Sequence, residues 1–306
     1  MSVYLGGNKI TPLYLGGVEI AEAFFGSVRI YPDYNPLNLH TIRCKFRAGY
    51  TPTMGDSQTL VDATENIWDI YQSSNNWEYL FYNDTRLENV IAANATGVTS
   101  FKRMFLSCTN MTSVALFDTS SATNMYGMFT NCWSLTSVPL FNTSSVTNMG
   151  EMFGGCSGLT SVPLFDTSSV TNTTNMFNGC TNLITVPRFD TSSAIYMIGM
   201  FNKCSSLTSS PLFDTSSVTD MEAMFYQCSS LTSVPLFDTS SVTDMTAMFY
   251  ECTAVESGAL ALYQQASTQA NPPSDYVECF KDCGKNTVTG YAELRQIPAS
   301  WGGDGT

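Results

Sequence analysis

Residues 213–236 read FDTSSVTDMEAMFYQCSSLTSVPL, and residues 237–253 begin the same phrase again as FDTSSVTDMTAMFYECT. A chain that restates itself without insertion is built from stacked units, because a unit this short cannot bury its own apolar side alone. The phrase extends well beyond these two copies. M-F-x-x-C recurs at Met104, Met128, Met152, Met176, Met200, Met224 and Met248, each time followed by Cys108, Cys132, Cys156, Cys180, Cys204, Cys228 or Cys252. F-[DN]-T-S-S-[VA] begins at Phe117, Phe141, Phe165, Phe189, Phe213 and Phe237, and a degenerate copy begins at Leu87.

Within one unit, Val218, Met221, Met224, Phe225 and Cys228 stand at helical spacing, with Ser217 ahead of them as an N-cap and Asp220 in the first turn. Leu231, Val234 and Leu236 follow at L-x-x-L-x-L spacing, which reads as a short strand. The expected fold class is therefore an α/β solenoid, a leucine-rich-repeat-like stack of 24-residue strand–helix repeats. A proline at 139, 163, 187, 211 and 235 has no N–H to give a ladder, so pairing is expected to stop at that column.

Four regions follow from these boundaries. Residues 87–256 form the solenoid, and residues 35–86 form an N-terminal cap rich in aromatic residues. Residues 257–306 form a C-terminal cap, in which ALALYQQAS reads as a covering helix and YVECFKDCGKNTVTGYAELRQIP as strands around a Gly-Lys-Asn turn. Residues 1–34 form a small β module, since YLGGNKI, YLGGVEI and FFGSVRI repeat ten residues apart and read as three strands with tight Gly turns. That module is too short for its own core, so Tyr4, Leu5, Ile10, Tyr14, Leu15, Ile20, Phe24, Phe25 and Ile30 are expected to mediate oligomerisation or docking.

Composition narrows the function classes. The 306 residues carry a formal charge of −13 and only 13% charged side chains, which argues against nucleic acid or an anionic membrane as a partner. No 18-residue apolar run and no basic leader with an apolar core is seen, so neither membrane insertion nor secretion is expected from the text.

No motif calls for catalysis, a cofactor or a metal. The cysteine column lacks C-x-x-C pairs and reads as buried structural thiols, and Cys279 and Cys283, one turn apart, read as reduced and packed more readily than as a disulfide formed outside a cell. The column Asp118, Asp166, Asp190, Asp214 and Asp238, with Asn142 in its midst, reads as Asx-turn residues more readily than as calcium ligands. The methionines read as core, and the phenylalanines at 117 to 237 read as core more readily than as an outward aromatic stripe for sugar or apolar ligands. His40, the single histidine, has no nucleophile motif around it. Ligand contacts are expected at the varied x positions, with Trp133, Tyr226 and Tyr250 as candidates, and at Arg188, which departs from an otherwise constant strand face.

The hallmark F-D-T-S-x-V-T-x-M-x-x-M-F-x-x-C-x-x-L over residues 87 to 256 resembles the BspA-type leucine-rich-repeat family of bacterial surface proteins. That resemblance implies surface display and adhesion, although family members carry export signals or lipid anchors. The Y-L-G-G-x-x-I triplet resembles the leader module of bacteriophage structural proteins. Together they lead to the expectation of a non-enzymatic virion protein, a head or tail fibre or decoration protein made in the host cytoplasm. It would dock on other virion proteins through its N-terminus, form a homo-oligomer, and adhere to a host-surface receptor or glycan. The alternative is a bacterial cell-surface adhesin of the BspA-like type.

Overall fold

The computed structural model describes residues 40–305, together with the backbone of four short strands nearer the N-terminus. Those strands pair as two hairpins, β1 (Val3–Leu5) with β2 (Asn8–Ile10), and β3 (Phe24–Phe25) with β4 (Val28–Arg29). Two of the three heptads are thus hairpins in themselves rather than single strands. Tyr14, Leu15, Ile20 and Ile30 lie outside the described residues.

The stack begins against a sheet of order β6-β7-β5-β8-β9. Strand β5 (His40–Phe46) is its centre, flanked by β7 (Ile67–Gln72), with β6 (Ser57–Asp62) outside it, and by β8 (Leu87–Ala93). Arg43 and Asp69 pair bidentately across β5 and β7 at 2.7 Å, and Asp69 is 1% exposed. Such a pair is tolerated in a core only when both charges are fully hydrogen-bonded.

Strand β9 (Ser113–Val114) pairs in parallel with β8, and among the described residues no later repeat forms a strand. The reason is one residue. This first copy carries Ala115 where later copies carry proline, and the Ala115 N–H donates to the Val90 carbonyl. The expected proline interruption is what the later rungs show.

The expected repeat helix is absent, and this corrects the strand–helix reading. In residues 124–132 the N–H groups of Met125, Gly127, Phe129 and Asn131 donate to the carbonyls of Asn148, Gly150, Met152 and Gly154 in the next rung. The intervening N–H groups of Met128, Thr130 and Cys132 close turns onto Met125, Gly127 and Phe129 within the rung. An α-helix would commit every N–H to the carbonyl four residues back and leave none for a neighbour. Every fourth residue here is left-handed, as at Asn131 (φ 60°), Glu151 (φ 55°) and Lys203 (φ 60°), which breaks the helical course. Apolar spacing survives because each pair of tight turns returns Met, Phe and Cys to the same side.

Parallel bridges link Asn76, Ser100, Asn124, Asn148, Asn172, Tyr196, Asp220, Asp244 and Asp275 in one column. The stack therefore has nine rungs along that column, two more than the M-F-x-x-C motif marks. Asn76–Asp84 is the first, with Trp77 and Phe81 in the Met and Phe places. Asp275–Cys283 is the last, with Cys279 and Cys283 where a repeat has Met and Cys. The strands expected there are replaced by this rung and by α2 (Val288–Leu294), whose N-terminus Thr287 caps by accepting from the Gly290 N–H.

Inside, Phe105, Phe129, Phe153, Phe177, Phe201, Phe225 and Phe249 stack ring on ring, with centroids 5.2–5.7 Å apart between neighbouring rungs. The second column, Phe117 to Phe237, packs behind it and is buried. The C-terminal end is closed by helix α1 (Ala259–Thr268), as expected. Gln265 Nε2 donates to the Phe237 carbonyl and Gln269 Nε2 to the Thr239 carbonyl, tying the covering segment to the last repeat. Trp301 lies 4.2 Å from the Tyr276 ring and covers the last apolar edge.

Candidate functional site

Each rung presents fixed residues inward and varied residues outward. The cysteines are inward, all ten free and buried. Rung spacing is about 4.8 Å, as in any β ladder. In this geometry each thiol from Cys108 to Cys252 donates to a phenylalanine carbonyl one rung back, as Cys156 Sγ does to Phe129 at 3.0 Å. Burial pushes the thiols up, to about 12 at Cys156 and Cys252, so they are weak nucleophiles and poor metal ligands.

The Asp column is the turn device the sequence predicts. Asp166 Oδ1 accepts from both the N–H and the Oγ of Ser168, and Asn142 makes the same bonds to Ser144. These bonds hold the Asp118, Asp166, Asp190, Asp214 and Asp238 carboxyls below the usual range. The threonine that follows each one is buried and donates to the next rung, as Thr167 Oγ1 does to the Asp190 carbonyl at 2.6 Å, except Thr239, which at the end of the stack donates to Gln269 Oε1.

Two outward features differ from expectation. Leu236 does not join Leu231 and Val234 in the core. It is 52% exposed, and Leu116, Leu140, Leu164 and Leu212 share its column and its exposure. Arg188 takes the leucine's place in one rung and is exposed there. Adjacent residues of extended chain face opposite ways, and the larger phenylalanine takes the inward position. The second feature is acidic: Asp220, Glu222 and Asp244 bring carboxylate oxygens within 4.8 Å of one another. Burial first, then the neighbouring carboxylates, raises Asp220 and Glu222, and the trio has the donor set of an oxygen-ligated cation.

Of the candidate ligand residues, Tyr226 and Tyr250 come together, rings stacked at 4.8 Å and 9°. Trp133 stands about four rungs away along the same face, 56% exposed, and Arg188 belongs to the leucine column, apart from both. His40 bonds Asn75 through Nε2 at 2.8 Å and meets Trp77 edge-on, a buried structural role. Not foreseen were three open, hydroxyl- and amide-lined cavities following one another along the varied face. The first, about 480 Å³, lies where the cap meets the stack and is lined by Arg47, Glu88, Asn89, Asn110, Thr112 and Ser134. The second, about 320 Å³, spans Asn131, Glu151, Gly154, Gly155 and Asn178. A third, about 340 Å³, runs from Thr181 past Lys203, Gln227 and Glu251. Gly155 makes room in the second: a Cβ there would collide with Asn131 Oδ1.

A family described as "Mycoplasma protein of unknown function, DUF285" matches residues 55–162 and again 158–261. No curated protein matches the chain. Among solved structures, a leucine-rich repeat protein from Eubacterium ventriosum is similar at 16% identity over 60% of this chain, with a TM-score of 0.42. The similarity spans 55% of that protein, about half its length.

Proposed function

The chain belongs to the DUF285 family, and on that premise we propose that it is a non-enzymatic bacterial surface protein whose stack serves adhesion. One observation carries the reading: rung-to-rung variation is concentrated in outward columns of a rigid core. Beside Phe105, Phe129 and Phe153, which are wholly buried, the next residue, half-buried except for the buried Gly154, runs Leu106, Thr130, Gly154, Asn178, Asn202, Tyr226, Tyr250. A scaffold of this kind holds side chains at fixed pitch over about 38 Å of ladder. It serves contact with another surface and requires no reactive group. The exposed leucine column adds an apolar ridge, and ordered apolar exposure of that kind is a common mark of interaction surfaces.

Membership of a family described from a bacterial genus supports this cell-surface reading over a virion fibre. The virion reading rests on the N-terminal triplet, much of which lies outside the described residues. In the adhesin reading, the N-terminal hairpins carry docking or self-association. Among the described residues no helix is long and apolar enough to cross a membrane. The test is flow cytometry of the fluorescently labelled chain on intact bacterial and epithelial cells. Saturable binding to either, competed by unlabelled protein, is expected. Its absence on both would overturn the proposal.

A further inference from the structure

We infer that the cavity between cap and stack, together with Trp133, forms a subsite for a neutral oligosaccharide, and that the row of cavities takes the rest of the sugar chain. The inference rests on the adhesive reading and names its ligand class.

The lining decides the chemistry. Arg47 brings only donors, Glu88 only acceptors, and Asn89, Asn110, Thr112 and Ser134 bring both. A ligand matched to such a wall carries many groups that each donate and accept at close spacing, which describes the hydroxyls of a sugar ring. An apolar ligand would strand this polar wall without partners. Asn89 and Asn110 are already oriented: Asn89 Oδ1 accepts from the Thr112 and Ser113 hydroxyls at 2.8 and 2.7 Å, and Asn110 Nδ2 donates to the Thr85 carbonyl at 2.7 Å.

Trp133 supplies the apolar complement. Three of the four tryptophans are wholly or partly packed into the core, whereas Trp133 is 56% exposed in a column otherwise filled by serine and threonine. It sits between Asn131, which lines the second cavity, and Ser134, which lines the first. An exposed indole next in sequence to Ser134, a lining residue of the first cavity, is a stacking platform for the C–H face of a pyranose. The ligand is a chain rather than one sugar, because the cavities succeed one another from Arg47 to Thr253 on one face. It is neutral because a protein of charge −13, with Glu88, Glu151 and Glu251 in the three linings, repels a polyanion.

The test titrates the full chain with cellohexaose and with chitohexaose, reading tryptophan emission for the unaltered chain and calorimetric heat for it and for W133A and R47A. Expected are a saturable emission change with at least one of the two, a loss of affinity of at least tenfold in W133A, and a smaller loss in R47A. Both side chains are exposed, so both variants should fold, and an unchanged melting temperature verifies it. No saturable change at millimolar sugar, binding of polygalacturonate alone, or undiminished affinity in W133A each overturns the inference. The cell-binding assay separates the two levels. Cells bound without sugar binding would leave adhesion standing with a protein as its ligand, and loss of both would remove the reading beneath it.

Discussion

The two sides of one rung obey different rules. On the turn side, residues 124–132, every second N–H reaches the next rung and every other one closes a turn. On the proline side, residues 135–141, Pro139 contributes no donor, and the segment is held by Leu135, Val138 and Phe141 in the core while Leu140 faces outward. The first copy shows what the proline changes: with Ala115 in its place, the same text becomes strand β9. Backbone pairing is thus dense on the turn side and sparse on the proline side, where single bonds such as Thr208 N–H to the Ile184 carbonyl and Thr232 N–H to the Thr208 carbonyl stop short of the proline, and that side is left with an apolar outer surface.

The sharpest way to break this contrast is to empty the turn side. Phe153→Ala removes a ring stacked between Phe129 and Phe177 and should cost about 3–5 kcal/mol, read by urea unfolding. Next, the two proline-column exchanges should be unequal. Ala115→Pro deletes the bond to Val90 and should cost about 3 kcal/mol, whereas Pro163→Ala should stay within about 1 kcal/mol, acting through the unfolded chain. Equal costs would show that the proline side is not what ends the pairing. Thr167→Val keeps shape and strands the Asp190 carbonyl, for about 1–3 kcal/mol in the same assay.

The smallest effect concerns the Asx turns. Asp166→Asn should leave stability within about 0.5 kcal/mol, because Asn142 already performs the same role. Replacing Asp118, Asp166, Asp190, Asp214 and Asp238 together by Asn should flatten the acid limb of the stability curve. Their carboxyls are lowered in the folded state by bonds from the following serines, so they contribute stability above the unfolded value of about 3.9, lost as pH falls through the folded value. Melting temperatures from pH 7 to 3 check this, and an unchanged acid limb would remove the role assigned to those bonds.

Much of the stack was legible because its period is rigid, and the inward Met, Phe and Cys columns and the Asx turns were read from residue type alone. The helix was misread because turns with a left-handed residue every fourth place return side chains to one side as a helix does. The signal against it was present: Gly127, Gly155, Gly179 and Gly199 recur in two columns that a helix interior would not give to glycine. The end rungs were missed because Tyr276 and Cys279 stand in methionine positions and Trp77 stands in for Met. Among candidate ligand residues, Trp133, Tyr226 and Tyr250 were legible as outward x positions. The leucine column was not, since Leu236 fits a core spacing and loses the inward place only to its neighbour Phe237. The first cavity joins Arg47 and Glu88 of the cap to Asn110 and Ser134 of the stack, a meeting that no local spacing encodes.

The central structural claim, a laddered rung in place of a strand–helix repeat, is tested most directly by far-ultraviolet circular dichroism of the full chain. The two α-helices among the described residues span ten and seven residues, so the account predicts a spectrum with only a slight helical contribution. A pronounced helical double minimum, as seven repeat helices would give, would contradict it.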